Sequence, residues 1–259
     1  MSKYEAQIQE IVSLRGTISV LDLARELKVS DQTIRRVVRP LVECGEIRKV
    51  HGALVSNRSA LDPPFLARMT QNRAAKVQIA RAVAALVKDG DSIAIDTGST
   101  SAFAAQALRE RKDLTVVTNS AFVASTLAMI PGNNVSMAGT QLRDHDGAAF
   151  DRSAFDVIGR MQVDYVLLSA SLVDAKRGFL VHEQCEVDIA SAMMDISAHT
   201  IMAVDSSKFE PQSKRPALRQ PALREGDFIL TDRAFDPAFD PLFEQQTVLI
   251  AENAVHKPA

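Results

Sequence analysis

Residues 30–52, SDQTIRRVVRPLVECGEIRKVHG, decide how the amino-terminal part of the chain folds. Ser30 or Asp31 can cap a helix, because a short side-chain oxygen there accepts a backbone N–H group that has no partner within the helix. Apolar and polar residues then recur at helical spacing, which predicts an amphipathic helix. The apolar face contains Ile34, Val38, Leu41 and Val42, and the polar face contains Gln32, Arg35, Arg36 and Arg39.

A short hairpin is predicted after this helix. Gly45 is placed to end the helix in a left-handed cap. Residues 47–50 are typical of a short strand, and residues 51–52 of a tight turn that leads back along it. Pro40 lies within the helical pattern. Because proline lacks the N–H group and clashes with the preceding turn, we expect the helix to kink or end near Arg39.

The residues before this stretch predict two more helices. Residues 4–14 and 20–27 have helical periodicity, Ser19 can cap the second helix, and residues 17–18 are a short extended piece. Three short helices and a hairpin are typical of the winged helix-turn-helix, whose third helix lies in the DNA major groove and whose wing contacts phosphates. An arginine-rich helix face by itself is more often only a solvated surface.

The stretch 18–53, ISVLDLARELKVSDQTIRRVVRPLVECGEIRKVHGA, resembles the amino-terminal domain of the DeoR family of bacterial sugar-responsive repressors. It departs from the family pattern at Val37, where the family has Asp, and at Ala53, where a second Gly is usual. The resemblance implies binding to double-stranded operator DNA. The shared residues are Val29, Ser30, Thr33, Ile34, Arg35, Arg36, Leu41, Gly45, Arg48, His51 and Gly52. We expect the DNA contacts to come from Ser30, Gln32, Thr33, Arg35, Arg36, Arg39, Arg48, Lys49 and His51.

Length and charge fit a small basic head on a larger acidic body. The chain has 259 residues, of which 46% are hydrophobic, and a formal net charge of −2. Residues 1–60 contain 10 Lys and Arg against 7 Asp and Glu, whereas the remainder contains 20 against 25. This modest asymmetry favours a DNA-binding amino-terminal domain.

The sequence predicts a cytoplasmic protein without a membrane segment. No apolar run has the length that a membrane span needs, and the amino terminus lacks the pattern of a signal peptide. The two cysteines, Cys44 and Cys185, lie far apart and predict packed thiols in a reducing compartment rather than a disulfide.

Residues 72–252 predict a second, larger domain. Residues 57–71, which include Pro63 and Pro64, have few periodic apolar positions and are predicted as a linker after a DNA-binding domain of residues 1–56. Beyond the linker, short apolar strands alternate with helices, which predicts a doubly wound, mostly parallel α/β sheet of the Rossmann-like kind. The predicted strands are 92–95, 115–117, 135–138, 165–168, 200–204, 228–230 and 248–250.

Four polar loops follow predicted strands, at the edge where an open parallel sheet binds its ligands. The first, residues 96–100, reads DTGST and offers hydroxyl groups, a glycine that admits a ligand closely, and the amino end of a helix, which favours an anion. The same pattern also occurs in an ordinary capped turn. The other loops are residues 118–120, 169–186 and 205–208, and the last ends in Lys208, a natural point charge for a phosphate.

Residues 76–232 also resemble the DeoR effector domain, whose fold is similar to that of ribose-5-phosphate isomerase. The matching phrases are DGDSIAIDTGSTS, LTVVTNS, MAGTQLR and VDSSKF. The resemblance implies that a phosphorylated sugar binds here. Its phosphate would be held by Thr97, Gly98, Ser99, Thr100 and Lys208, and its hydroxyls would lie near Asn119 and Glu186. The predicted ligand site also includes Asp96, Thr118 and Gly139.

Two other clusters contain side chains suited to a metal or to acid–base chemistry. One is Asp144-His145-Asp146, and the other is His182 with Glu183 and Glu186. A single histidine among acids in a polar loop is more often solvated surface than a metal ligand. We therefore predict neither a metal site nor a cofactor.

Two functions remain open from the sequence. The first is a transcriptional regulator, predicted to be a repressor of a carbohydrate catabolic operon that a phosphorylated sugar releases from operator DNA. The second is a sugar-phosphate isomerase that carries a DNA-binding head, for which Asp174 and Glu186 are the possible acids. The isomerases that this body resembles place acidic residues just after the middle strand, followed by a lysine in a glycine-rich loop. Here no glycine run surrounds Lys176, so that apparatus is incomplete and a binding-only body, not an enzyme, is favoured. We expect a homodimer or homotetramer, because one winged head has a small contact area on DNA.

Overall fold

The computed structural model describes residues 3–15, 17–43, 47–50, 53–56, 65–213 and 217–251. The chain forms two compact units, Met1–Gln71 and Asn72–Ala259, which we call the amino-terminal and the carboxyl-terminal unit. No helix among these described ranges is long and apolar enough to cross a membrane.

The amino-terminal unit combines helices with a small antiparallel sheet. Its described elements are α1 (Lys3–Arg15), β1 (Thr17–Ser19), α2 (Val20–Leu27), α3 (Asp31–Glu43), β2 (Ile47–Val50), β3 (Ala53–Ser56) and α4 (Phe65–Thr70). The strand order is β1-β3-β2, and both pairs are antiparallel. The apolar core contains Ile8, Val12, Leu23, Ile34, Val38, Leu41 and Leu54. This arrangement confirms the predicted winged helix-turn-helix.

Side-chain caps set the beginnings of α2 and α3. Ser19 Oγ accepts the backbone N–H of Asp22 at 3.0 Å, and Ser30 Oγ accepts that of Thr33 at 3.1 Å. Each bond satisfies a backbone donor that the first turn of a helix leaves without an intrahelical partner. The predicted cap at Gly45 and the predicted turn at residues 51–52 lie outside the described residues.

Of the kink or end expected near Arg39, the end is wrong, because α3 continues through Pro40 to Glu43, whereas the kink stays a prediction. Proline removes the hydrogen bond to the carbonyl four residues earlier, which belongs to Arg36. Both Arg36 and Pro40 are exposed, so the lost hydrogen bond lies on the solvent side of the helix, where its loss costs less than it would in a core.

The predicted linker contains a helix. Residues 57–64, with Pro63 and Pro64, lie outside the described residues, but Phe65–Thr70 forms α4. Phe65 is buried, and α4 packs against α1. A helix of six residues is too short for hydrophobic periodicity to reveal it, and its stability comes from this packing instead.

The carboxyl-terminal unit alternates strands and helices. Its helices are α5 (Arg73–Leu86), α6 (Ser99–Leu108), α7 (Ala121–Ala128), α8 (Arg152–Ile158) and α9 (Gln184–Asp195), with 3-10 turns at Ser206–Lys208 and Pro237–Leu242. Its strands are β4 (Ser92–Ile95), β5 (Thr115–Thr118), β6 (Asn134–Met137), β7 (Val163–Leu168), β8 (Leu172–Asp174), β9 (Gly178–Val181), β10 (Ser197–Ala203), β11 (Phe209–Glu210), β12 (Leu218–Arg219), β13 (Phe228–Thr231) and β14 (Thr247–Ile250).

Seven of these strands form one parallel sheet in the order β14-β13-β10-β7-β4-β5-β6. Three successive residues of β4, Ile93, Ala94 and Ile95, are fully buried, so both faces of this strand are covered. The strand order runs outward in both directions from β4 and β7. Their carboxyl ends therefore form the topological switch point, where open α/β sheets bind ligands. The predicted parallel α/β fold is confirmed.

A second, four-stranded sheet was not predicted. Its order is β11-β8-β9-β12, and two of its strands lie inside residues 169–186, which the sequence analysis treated as a polar loop. That treatment is wrong, because β8 and β9 form a buried antiparallel hairpin. Asp174 ends β8, and Lys176 and Arg177 lie in the turn, so charged residues interrupt the two short apolar strands in the sequence.

Contacts between phenylalanine rings join residues 235–243 to this second sheet. Phe209 of β11 stacks on Phe235 with ring centroids 5.3 Å apart and meets Phe239 edge-on at 5.1 Å. Phe243 stacks on Phe179 of β9 at 5.6 Å. Residues 235, 239 and 243 are spaced four apart, whereas a 3-10 helix repeats every three residues, so this spacing does not predict the 3-10 segment.

Candidate nucleic-acid interface and ligand-binding edge

The polar face of α3 is exposed and basic, as predicted. Gln32, Arg35, Arg36 and Arg39 are all exposed. Arg35 Nε lies 3.5 Å from Asp31 Oδ2, and Arg39 Nε lies 2.9 Å from Glu43 Oε1. Both pairs are solvated and contribute about 0–1 kcal/mol each, so a phosphate can displace them at little cost. Within the described ranges, no ion pair holds Arg36.

Helix α3 and the wing present basic side chains around one depression. This depression has a volume of about 300 Å³. Arg35, Arg39 and Lys49 line it together with the apolar side chains of Val20, Val38, Val42 and Leu54, and with Glu43. Because Lys49 belongs to β2, the helix and the wing contribute positive charge to the same place, which suits a DNA phosphate.

The other predicted DNA-contact residues have different surroundings. The hydroxyls of Ser30 and Thr33 lie 2.8 Å apart, and the Ser30 hydroxyl caps α3, so these groups fix the beginning of the helix. The backbone of Arg48 pairs with Val55 in the wing. The side chain of Arg48 and the whole of His51 lie outside the described part of the chain.

Asp96 joins three elements at the switch point. Its carboxylate accepts the Ser101 hydroxyl of α6 and the backbone N–H of Ser169, which follows β7, at 3.1 Å. The backbone N–H of Asp96 donates to Leu167 of β7 at 3.1 Å. Asp96 therefore positions the turn at residues 97–100, and its carboxylate oxygens already accept hydrogen bonds from the protein.

Gly98 lets the chain turn closely against β7. Its φ is +144°, and a Cβ atom at this position would lie only 2.6 Å from Ser169 Oγ. Ser99 and Thr100 follow it in the first turn of α6, and both are buried. The first backbone N–H groups of a helix have no intrahelical acceptor and carry partial positive charge, so this turn is suited to an anion. Thr97 Oγ1 is buried and has no partner among the described residues.

Thr118 ends β5 and Asn119 follows it, and the two side chains differ in whether they have a polar atom without a hydrogen-bond partner. The Thr118 hydroxyl donates to Ile95 O at 2.6 Å and accepts Ser120 N–H at 3.1 Å, so it ties β5 to β4. Asn119 is fully buried, and its Nδ2 donates to Ala149 O at 3.1 Å. Its Oδ1 has no partner among the described residues.

Gly139 permits close packing after β6. Its φ is +97°, and a Cβ atom there would collide with Ala149 Cβ and approach Ala154 Cβ to 3.2 Å. Asp151 accepts the backbone N–H groups of Thr140 and Gln141 in the same loop. The hydrogen bond from the Ser153 hydroxyl has the largest effect on the pKa of Asp151, and these backbone donors add to it. Together they hold that pKa well below its usual range.

Glu186 has structural partners. Its Oε2 accepts the backbone N–H groups of His182 and Glu183, both at 3.1 Å, in a capping box at the beginning of α9. Its Oε1 lies 3.7 Å from an Arg143 nitrogen. Because the carboxylate is engaged in this way, a sugar hydroxyl would have to compete with the cap.

Arg143 was not among the predicted site residues, although it ends the phrase MAGTQLR. It is ion-paired with Asp146, contacts Glu183 Oε2 at 2.9 Å, and lies over the Phe150 ring at 3.9 Å. These contacts tie the loop after β6 to the beginning of α9. Burial, together with the neighbouring acids, raises the pKa of Cys185 to about 11, so this thiol stays protonated.

The possible metal clusters do not assemble in the described ranges, where no group of three or more His, Cys, Asp and Glu residues is suited to a metal ion. Asp146 is engaged by Arg143 and by Ala148 N–H at 3.1 Å. His145 is exposed and lies 3.4 Å from Asp144. His182 Nδ1 is buried and has no partner among these residues.

Lys208 lies on the same edge of the sheet as residues 97–100, after β10, and β7 separates β10 from β4. Its backbone N–H donates to Asp205 O at 3.0 Å. The Asp205 carboxylate accepts the Ser207 N–H at 3.2 Å and the Ser207 hydroxyl. Among the described residues, no hydrogen bond or ion pair joins the Lys208 side chain to residues 97–100.

A cavity of about 740 Å³ adjoins the turn that contains Lys208. It is lined by the beginning of α5, by residues 205–207 and by the segment 233–239, with Phe209 and Pro211. Its volume is in the range of small-molecule sites. None of its lining residues belongs to the turn at residues 97–100.

A basic helix-turn-helix unit followed by a parallel α/β unit is the organisation of a ligand-responsive transcriptional regulator. The family comparison agrees: a DeoR-like helix-turn-helix domain matches residues 5–60, and the DeoR C terminal sensor domain matches residues 71–233. The chain belongs to the DeoR family. It is therefore a DNA-binding regulator with a sensor domain.

Similar proteins are repressors from several bacteria. The glycerol-3-phosphate regulon repressor of Escherichia coli is 30% identical over 93% of this chain and 92% of its own length. That of Haemophilus influenzae is 31% identical over 95% of each chain. The transcriptional repressor AccR of Agrobacterium fabrum is 29% identical over 88% of each.

Among solved structures, ribose 5 phosphate isomerase A from Neisseria gonorrhoeae matches 53% of each chain, at 17% identity and a TM-score of 0.38. This likeness is too low to bear on function.

Proposed function

We propose that this chain is a repressor that binds operator DNA through α3 and the wing and is released when a phosphorylated sugar or polyol binds the carboxyl-terminal unit. The observation that carries the proposal is the turn at residues 97–100, which offers free helix-end N–H groups, hydroxyls and a close-approach glycine at the switch point of a DeoR sensor domain. The relatives named for glycerol 3-phosphate support a phosphate ester as the ligand.

In this proposal Gly98, Ser99 and Thr100 bind the phosphate, with Thr97 and Asn119 beside it. The N–H groups and hydroxyls of residues 98–100 provide the donors that phosphate oxygens need. Lys208 contributes a positive charge from the same edge. Asp96, Thr118, Gly139 and Glu186 act on the ligand indirectly, because their groups hold the surrounding loops.

A binding function is favoured over an isomerase. The Asp174 carboxylate is buried and accepts the backbone N–H groups of Lys176, Arg177 and Ser213, each at 2.9 Å. Glu186 is held by its capping box. An isomerase needs a carboxylate that is free to move a proton between carbons, and these two acids are committed to the protein's own backbone. An assay with ribose 5-phosphate and glucose 6-phosphate is expected to show no turnover.

We further propose that the repressor is a homodimer or homotetramer, because paired heads on two half-sites multiply the affinity of one small winged helix. Light scattering is expected to give two or four times the 28.2 kDa mass of the chain. A strictly monomeric species that still binds operator tightly would contradict this assembly.

The test of the ligand site uses operator release. Wild type, Lys208→Ala and the control Lys88→Ala are titrated, while bound to operator DNA, with glycerol 3-phosphate, ribose 5-phosphate and fructose 6-phosphate. Lys88 is exposed and lies before β4, at the opposite edge of the sheet. We expect at least one ester to release wild type and Lys88→Ala alike.

Lys208→Ala is expected to bind operator normally and to need about 10- to 100-fold more of that ester for release, the loss of one charge-assisted contact. Release of none of the three forms by any ester would refute the proposed function. Identical release curves for all three would remove Lys208 from the site.

A further inference from the structure

Gln220 is a buried glutamine at the switch point. It directly follows β12, is 5% exposed, and donates its backbone N–H to Phe179 O at 2.9 Å. Its side-chain Nε2 donates to Ser169 O at 2.8 Å. Ser169 is the residue that bonds Asp96 and lies against Gly98. Gln220 therefore reaches from the second sheet to the residue that supports the turn at residues 97–100.

The orientation of this amide is fixed by its partner. Only the NH₂ end of the side chain can donate to the Ser169 carbonyl, so the other end must be the carbonyl oxygen. That atom, Gln220 Oε1, is buried and has no hydrogen-bond partner among the described residues. Asn119 repeats the arrangement across the switch point: its Nδ2 is used by Ala149 O and its buried Oδ1 is left over.

Asn119 Oδ1 and Gln220 Oε1 each need a hydrogen-bond donor as a partner. An amide carbonyl oxygen only accepts hydrogen bonds, and so do the oxygens of a fully ionised phosphate. A phosphate group therefore satisfies residues 98–100 but not Asn119 Oδ1 or Gln220 Oε1. Hydroxyl groups can donate to both. A buried acceptor without a donor costs free energy, so a ligand that supplies the hydroxyls is favoured over one that lacks them.

We propose that Gln220 is a specificity-determining residue of the ligand site, whose Oε1 accepts a hydroxyl of the bound phosphate ester. With Asn119 it makes the site selective for polyhydroxylated esters over simple alkyl phosphates. This inference rests on the proposed function, because it needs a phosphate ester bound at residues 97–100.

The test compares ligands with and without hydroxyls. Calorimetry measures the dissociation constants of glycerol 3-phosphate, ribose 5-phosphate, fructose 6-phosphate and propyl phosphate for the full-length chain. Propyl phosphate has the ester and no hydroxyl. We expect wild type to bind at least one polyol ester about 10- to 100-fold more tightly than propyl phosphate, as the loss of hydrogen bonds to buried acceptors implies.

A variant then distinguishes a hydrogen bond between Gln220 and the ligand from a role of Gln220 in supporting Ser169. Gln220→Met keeps the length of the side chain and removes its polar end. We expect it to weaken binding of the preferred polyol ester by about tenfold and to leave propyl phosphate unchanged, so that the preference shrinks. The matched control is Gln246→Met, since Gln246 Nε2 also donates to a backbone carbonyl, that of Arg224 at 3.3 Å, but lies just before β14 at the opposite edge of the sheet.

The outcomes distinguish the two proposals. If no ester binds wild type, the proposed function fails and this inference with it. If esters bind but Gln220→Met weakens polyol esters and propyl phosphate equally, Gln220 only supports Ser169 and the inference is overturned. If Gln220→Met does not fold, as judged by circular dichroism, equal affinity of wild type for polyol esters and propyl phosphate would still overturn it.

Discussion

Arg35 and Arg36 are neighbours in α3 but leave the helix in different directions. At about 100° per residue, Arg36 lies about 200° around the helix from the buried Ile34, and Arg35 lies about 100° from it. Arg36 thus points most directly away from the core of the unit. Arg35 instead borders the depression that it shares with Arg39 and Lys49. We infer that Arg36 reads a base edge and that Arg35 binds a phosphate.

The two arginines are therefore expected to fail differently when replaced. Arg36→Ala should lose about 1–3 kcal/mol on the operator and bind altered operators almost as well as the native one. Arg35→Ala should weaken all sequences alike and reduce the slope of log affinity against log salt by about 0.9. Fluorescence anisotropy with operator and unrelated DNA at several salt concentrations measures both. Equal losses for both variants on every DNA would contradict the assignment.

Gly139 and Gly147 both have positive φ, but only one of them is crowded. A Cβ at Gly139 would collide with Ala149, whereas a Cβ at Gly147 would meet nothing within 4 Å. Gly147→Ala should cost about 1–2 kcal/mol of unfolding free energy for the left-handed backbone alone. Gly139→Ala should cost about 1–3 kcal/mol more, because overpacking adds to it. Urea denaturation measures both, and equal losses would show that the loop after β6 relaxes around the new methyl group.

At the scale of elements, the parallel sheet was predictable and the second sheet was not. Strands such as β4 and β7 are mostly buried apolar runs that lie between turn signals. Each of them can therefore be predicted from its local sequence alone. Strands β11 and β12 have two residues each, and β8 and β9 flank a charged turn, so their existence depends on partners far along the chain. The same limit applies to the site. The turn at residues 97–100 is a local motif, whereas Gln220 reaches it only through the second sheet.

Asp174 gives the hairpin of β8 and β9 a dependence on pH. Burial by itself would raise its pKa, but hydrogen bonds from the backbone N–H groups of Ser213, Arg177 and Lys176 outweigh burial and lower the pKa below its ordinary value. A lowered pKa in the folded state stabilises the protein above the unfolded pKa, about 3.9, and this stability is lost as the pH falls through the folded value.

Asp174→Asn is therefore expected to lower the unfolding free energy by a constant amount between pH 5 and 7. The difference from wild type should shrink below about pH 4, where the Asp174 carboxylate becomes protonated first in the unfolded chain and, at lower pH, in the folded protein. Urea denaturation across this pH range measures the difference. As a control, Asp240→Asn removes an exposed carboxylate from the same unit and is measured in parallel. A difference that stays constant down to pH 3 would contradict the role of the Asp174 charge.

At the scale of the whole molecule, regulation requires that ligand binding in one unit changes DNA binding by the other. Asn72 is the first residue of the carboxyl-terminal unit. Its Nδ2 lies 2.7 Å from Ser207 Oγ and 3.3 Å from Asp205 Oδ1, in the turn that carries Lys208. A ligand that repositions this turn thus acts directly on the residue where the chain enters the sensor. Coupling of this kind is thermodynamic and needs unequal ligand affinity for the DNA-competent and DNA-incompetent arrangements.

Removal of the Asn72 side chain should reduce this coupling and spare both binding sites. Because Asn72 has φ +50°, alanine would add backbone strain, so the informative variant is Asn72→Gly. Asp113→Gly is the matched control, since Asp113 also has positive φ, +59°, but lies at the opposite edge of the sheet, before β5.

We expect Asn72→Gly to bind operator in the absence of ligand, and the releasing sugar or polyol phosphate in the absence of DNA, as wild type does. The ratio of operator affinities without and with saturating ligand, which measures a coupling of typically 1–3 kcal/mol, should fall several-fold in Asn72→Gly and stay unchanged in Asp113→Gly. An unchanged ratio in Asn72→Gly would mean that Asn72 only orders the beginning of α5 and that the signal leaves the sensor elsewhere.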